Sequence, residues 1–168
     1  GGRGVREVFM GTTVDAGRVV DYSDGIGMYS KSGQGVWTPR DFVLGKNGRI
    51  DVLSRGVEQL GQRVSKINLD SEFQGQFGSF GGEDGRFMWP RSIDTDQDGR
   101  VYVSDEYLNR ISVFDAEGAF RYHFGRSGSE VGSLNGPSGV AFDSNDTIWV
   151  ADSLTHRLQN LCAIGQSP

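Results

Sequence analysis

Across its 168 residues the sequence holds one cysteine, four prolines and three lysines, and it has no long apolar run. A single thiol cannot close an internal disulfide, so a disulfide-stapled scaffold is excluded. The apolar stretches run only a few residues, against about 20 for a membrane-crossing helix, so no membrane span is expected. Basic charge is also short: 17 Lys plus Arg stand against 22 Asp plus Glu, a net charge of −5. That balance argues against a strongly basic nucleic-acid binder. No segment carries an apolar stripe at a period of 3.6, which excludes a helix-built core. Glycine is in excess, at 26 residues or about 15% where ~7% is usual. Without a collagen period, that much glycine serves tight turns between short strands. Charged residues at 23% and so few prolines exclude a disordered chain. The length predicts one domain. The chain opens on Gly1 rather than Met and shows no signal-peptide pattern, so a processed product or a piece of something longer is expected.

An internal repeat organises the chain. Taking Pro39, Pro90 and Pro137 as anchors, the residue three before each is apolar: Val36, Phe87 and Leu134. The residue three after is apolar again: Phe42, Ile93 and Val140. Further on come Ile50 and Val52, Val101 and Val103, Ile148 and Val150, all in the same register. Between the last two anchors the offset is 47 residues, and Phe73, Phe77, Gly78, Gly81 and Gly85 recur as Phe120, Phe124, Gly125, Gly128 and Gly132. Arg63 recurs as Arg110 and Arg157, Asp105 as Asp152, and Gly118 as Gly165. An insertion of four residues within Arg55 to Gln62 accounts for the longer step from Pro39 to Pro90. Tyr22, Ile26 and Gly27 sit at matching distances upstream, which places a degenerate unit at the N-terminus. A period in this range means stacked units, each unable to bury its apolar face alone.

Each unit reads as four short strands. Ser92 to Asp96 alternates and ends in the hairpin signal Gln97-Asp98-Gly99. Arg100 to Ser104 alternates with Val101 and Val103 on one side, a loop follows from Asp105 to Asn109, and Ile111 to Asp115 is a third strand. Ala116-Glu117-Gly118 turns into Phe120 to Phe124, and the glycine-rich connector Gly125 to Gly136 leads to the next unit. Four antiparallel strands in 47 residues is the size of a propeller blade.

The segments Pro90 to Ile93, Val101 to Asp105 and Asn109 to Ile111, with their counterparts Pro137 to Val140, Ile148 to Asp152 and His156 to Leu158, resemble NHL repeats. The resemblance covers about residues 34–165, is strongest over 85–165, and weakens where Ser54 replaces the Asp after the second strand. It implies an all-β fold, a β-propeller of four-stranded antiparallel blades that is usually six-bladed. About 3 to 3.5 blades are expected here in a single partial propeller domain over 1–168. Residues 1–33 read as a degenerate or partial blade, 34–84 and 85–131 as blades, and 132–168 as an incomplete blade. Six blades at this period need about 280 residues, so the chain reads as a fragment, or as half of a ring closed by self-association.

Candidate functional residues gather where the loop before the first strand and the loop after the second share a face. That face carries Arg40, Arg91, Tyr107, Asn109 and His156 as a ligand-binding set. Arg40 and Arg91 follow their prolines directly, and two guanidiniums at a channel mouth suit a carboxylate, a phosphate or an acidic peptide. Asp105 with Arg110, and Asp152 with Arg157, recur at identical spacing and read as structural loop ion pairs, or as carboxylates capping backbone N–H groups. Asp94, Asp96 and Asp98 resemble half of a calcium loop with Asp105 at the twelfth place, but the repeat register puts a hairpin there. No metal is expected on that account, and weak calcium binding is the alternative. Cys162 has no base near it, His123 alternates within an outer strand, and the Gly125 to Glu130 run fails the nucleophile-elbow spacing. No cofactor is expected. Phe73, Phe77, Phe120 and Phe124 read as blade-to-blade packing, and Trp37 and Trp89 lie near the candidate face.

Three functions compete. The first is a binding or scaffold module presenting one loop face and channel mouth to a protein or peptide partner. The resemblance also allows a propeller enzyme, a gluconolactonase-like metal-dependent hydrolase or a lyase, for which Asp41, Asp94 and Asn135 would be the available ligands. The third is single-stranded RNA binding, which 14 arginines permit and the net charge of −5 opposes.

Overall fold

The computed structural model describes residues 36–56 and 59–161. The degenerate N-terminal unit, Cys162 and Gly165 lie outside them. Among the described residues, eleven strands form three antiparallel sheets. The first sheet comprises β1 (Pro39–Leu44), β2 (Arg49–Ser54), β3 (Arg63–Asn68) and β4 (Phe73–Phe77) in that order. The second comprises β5 (Pro90–Thr95), β6 (Val101–Asp105), β7 (Arg110–Phe114) and β8 (Phe120–Phe124). The third has β9 (Pro137–Phe142), β10 (Ile148–Asp152) and β11 (Arg157–Leu161). This is a partial β-propeller. Each sheet is an up-and-down meander, because hairpin turns such as Asp96 to Gly99 close antiparallel pairs with few residues. No helix among the described residues is long and apolar enough to cross a membrane.

The sheets pack face to face. Val101, Val103, Ile93, Phe87 and Phe114 join Leu53 and Val64 of the first sheet in one core. Tyr102, Ile111 and Val113 turn the other way and meet Leu134, Val140, Ile148 and Val150 in a second. Strands β6 and β7 are therefore buried along their whole length, whereas β10 and β11 alternate between buried and open positions. Period-two side chains with both faces covered favour apolar residues on both faces, which Val101-Tyr102-Val103 supplies.

The phenylalanines do not all serve the same interface. Phe120 packs on the first core and Phe124 on the second, although both alternate on one strand. A register shift between Val113 and Phe114 separates them, pairing Phe120 with Phe114 and Phe124 with Ile111. A bulge turns the strand locally, so residues four apart serve different neighbours.

The connectors are bound tightly. A Cβ on Gly78 (φ +81°) would stand 2.3 Å from the Phe87 ring, and one on Gly125 (φ +94°) 2.6 Å from Leu134. The repeated glycine is thus a point of close approach between a strand's exit and the apolar plug of the next unit.

Candidate binding face

Inner strands β1, β5 and β9 are linked laterally by polar side chains. Asp41 Oδ2 accepts from Ser92 Oγ (2.8 Å) and from the Ile93 N–H (2.9 Å). Asp94 Oδ2 accepts from the Phe142 N–H at 2.7 Å. Both carboxylates tie one sheet to the next, while Asn135 gives its N–H to Asp152. At one end of the sheets the first hairpin turns touch: Gln97 donates to Asp146 and Ser144, and Lys46 to Gln97. There, Asp96 accepts from the Asp98 and Arg100 N–H groups, the Arg100 guanidinium and the Tyr102 hydroxyl, while Asp98 pairs with Arg100. Asp94, Asp96 and Asp98 are thus occupied by strand linkage and hairpin closure. No group of three or more His, Cys, Asp or Glu side chains comes together among the described residues.

The opposite end is the candidate face. Arg40, Arg91 and Ser138 are each the extra residue of a bulge, since Pro39 pairs with Ser54 and Asp41 with Leu53, and the other two sheets repeat this. A bulge at a strand's start re-aims one side chain out of the pleat. Just past the neighbouring strand stand Arg55, Glu106 and Ser153, whose N–H groups bond to the carbonyls of Thr38, Trp89 and Gly136. Each sheet therefore ends in a cross-strand pair. In the third, Ser138 and Ser153 share a hydrogen bond of 2.5 Å, and in the second Arg91 Nε lies 3.4 Å from Glu106 Oε2. In the first, arginine stands opposite arginine. Arg55 is 7% exposed, its Nη1 meets no hydrogen-bond acceptor, and its guanidinium carbon sits 3.9 Å above the Trp89 ring centre. Burial lowers the Arg55 pKa, and the charges of Arg40 and Arg91 lower it further while Glu106 opposes them. Trp89 (47% exposed) and Tyr107 (68% exposed) lie on the same loops.

Two repeated clasps hold these loops. Asp105 is fully buried and accepts from the N–H groups of Met88, Trp89, Tyr107 and Leu108. Arg110 does not pair with it. Its fork reaches the carbonyls of Gly82, Glu83 and Arg86 instead, so the expected Asp105–Arg110 ion pair gives way to backbone capping by each partner separately. In the third sheet Arg157 does both tasks, at 3.0 Å from Asp152 and within 3.0 Å of the carbonyls of Ser129, Glu130 and Ser133. Asn109 and His156 share a register position and both take left-handed backbone, φ 53° and 55°. Asn109 Oδ1 accepts from the Gly136 N–H at 2.8 Å, so this side chain clasps the entry to the next unit rather than facing outward. His156 is exposed.

Burial alone would raise the Asp152 pKa, but hydrogen bonds from Thr155, the Asn135 N–H and Arg157 hold it below the usual carboxylate range. A depressed carboxylate contributes stability that is present above the ordinary value near 4 and lost as pH falls through the folded value. Asp152→Asn should therefore cost about 1–3 kcal/mol at pH 7. The gap between its melting curve and that of the parent should narrow on going below about pH 4. A gap that stays constant down to pH 3 would remove this account.

Arg55 was not among the residues singled out from the sequence. The insertion within 55–62 took it out of register, yet its position one past Ser54 matches Glu106 past Asp105 and Ser153 past Asp152.

The model of the NHL repeat matches residues 134–160. No curated protein matches the sequence. Among solved structures the chain is similar to a catalytically inactive virginiamycin B lyase from Staphylococcus aureus with quinupristin, at 14% identity and a TM-score of 0.58. That match covers 84% of this chain and 42% of the lyase. A streptogramin B lyase matches at 15% identity and a TM-score of 0.57, covering 77% of this chain and 39% of that one. A protein of unknown function from Bacteroides caccae matches at 16% identity and a TM-score of 0.56, covering 82% and 45%. At these identities the likeness is one of fold. The chain spans about two fifths of the length of these structures and is part of a β-propeller that carries an NHL repeat over 134–160.

Proposed function

We propose that this arc is a binding module that presents its bulge-and-loop face to a protein or peptide partner. One observation carries the reading. Trp89 and Tyr107 stand exposed beside Arg40, Arg55 and Arg91 on one face, whereas the opposite face is tied up in turn-to-turn hydrogen bonds. Tryptophan, tyrosine and arginine are the residue types that dominate interface energetics, because they bury large area at low entropic cost and add directed polar groups. The bulges and the Asp105 clasp give the face rigidity, which limits the ordering cost of association. Catalysis of the kind named for the lyases of similar fold has no observation on the described residues in its favour.

Selection of a displayed random-peptide library on the whole chain tests the reading. Selected peptides should lose at least tenfold in affinity, about 1.4 kcal/mol, with Trp89→Ala or Tyr107→Ala. Asp98→Ala on the opposite face should leave binding unchanged. Peptides whose affinity ignores both aromatic substitutions would overturn the proposal.

A further inference from the structure

The arginine pair at the head of the first sheet differs from its counterparts in having no carboxylate paired with it among the described residues. Where the second sheet sets Glu106 against Arg91 and the third sets serine against serine, the first sets Arg55 against Arg40. The carboxylates nearest in sequence or register are occupied: Asp41 bonds to Ser92 and Ile93, and Asp105 to four backbone N–H groups. Ser54, at the register position of Asp105, has a hydroxyl without a partner, so no anion stands there either. Among the described residues, three guanidiniums thus face a single carboxylate, Glu106, whose Oε2 is itself buried without a hydrogen bond. A buried guanidinium nitrogen without an acceptor is costly unless a counter-charge arrives.

We infer that Arg55, with Arg40 and Arg91 around it and Trp89 beneath it, is the seat for a carboxylate of the bound partner, an acidic side chain or a chain terminus. This deepens the peptide-binding proposal and rests on its choice of face. The chemistry matches the geometry. A guanidinium is planar with five N–H donors in a fork that accepts both oxygens of a carboxylate, and stacking on an indole holds that plane in place. Entry to the buried Nη1 needs a small swing of neighbouring side chains, and Arg40 and Trp89 are both exposed. Glu106 keeps the site from an excess of charge, leaving two net positive charges to be shared with one incoming acid.

The test is a titration of the whole chain with the blocked peptide acetyl-Ala-Glu-Glu-Ala-amide, its Gln-Gln twin, and inorganic phosphate, followed by NMR at the Trp89 indole and the Arg55 Nε–H. The acidic peptide should shift both signals, with binding that weakens as salt rises, and the Gln-Gln twin should not. Arg55→Gln should weaken the acidic peptide at least tenfold, and Arg55→Lys should restore little, since a point charge lacks the fork. Because Arg55 is buried, Arg40→Gln provides a variant at an exposed position; a loss of about threefold to tenfold is expected from removing one nearby surface charge. Equal binding of the two peptides, or acidic binding indifferent to Arg55 and Arg40, would overturn the assignment while leaving the aromatic face standing. Phosphate that binds where the acidic peptide does not would also overturn it, by naming a different anion. Acidic binding at Arg55 together with library peptides that ignore Trp89 and Tyr107 would sink the peptide-face proposal and spare this one.

Discussion

Replacing Phe114 with alanine should destabilise the chain by about 3–5 kcal/mol, among the largest effects a single substitution can have here. Phe114 is 1% exposed and lies among three other rings, with centroids 4.7 Å from Phe77, 5.7 Å from Phe87 and 5.8 Å from Phe120. Those rings come from β4, from the connector and from β8, so one side chain joins two sheets and the segment between them. Truncation removes its own transfer free energy, leaves a cavity that rigid strands cannot close, and deletes three tilted or edge-on aromatic contacts. Denaturant unfolding of the purified chain measures the loss. Val131→Ala, at a position 94% exposed, should change stability by under about 0.5 kcal/mol and serves as the control. A Phe114→Ala loss below about 1 kcal/mol would mean that the first and second sheets do not share a core.

Asp105→Ala should cost a comparable amount, about 3–5 kcal/mol, by a different route. The carboxylate is fully buried and accepts from four backbone N–H groups, at 2.7 Å from Met88 and 3.0–3.2 Å from Trp89, Tyr107 and Leu108. Hydrogen bonds to a charged acceptor contribute about 1.5–3 kcal/mol each, and orphaning buried donors adds a desolvation cost. Asparagine is an informative second variant. Oδ1 serves Tyr107 and Leu108 while Oδ2 serves Met88, with the Trp89 N–H shared between them, so both oxygens must accept. An amide has one accepting and one donating end, so Asp105→Asn should recover less than half of the loss. Hydrogen exchange should show fast amides at 88–89 and 107–108 in the alanine variant, and at one of these two pairs in the asparagine variant. Asparagine as stable as aspartate would show that charge and double acceptance do not matter at this position.

Much of this architecture is legible in the sequence for a physical reason. Alternation at Val101 and Val103, the Asp96 to Gly99 turn and the repeated Gly78 and Gly125 are local devices, and local chemistry is what a sequence displays. Recurrence from Pro90 to Pro137 then carries each device from one sheet to the next. What is hidden is choice of partner. Arg110 and Arg157 have the same spacing from an Asp and both reach the connector's carbonyls, yet only Arg157 also reaches its Asp. Phe120 and Phe124 look equivalent until a bulge sends them to opposite cores. Arg55 was hidden by the insertion that follows it, and its importance depends on which charges lie across the sheet, a property of three dimensions.

The connectors before the second and third sheets belong to the sheets they enter. Residues 82–89 are gripped by Arg110 and Asp105 of the second sheet, and Phe87 fills that sheet's core. The seam between exchangeable modules therefore falls between Phe77 and Gly78, a dozen residues ahead of the first residue of β5. Recombination or grafting that cuts at Pro90 would deliver a sheet without its own fastening and leave the fastening attached to a stranger. A crossover at Gly78 hands over the sheet together with its own fastening, leaving only the faces it shares with its neighbours to be matched.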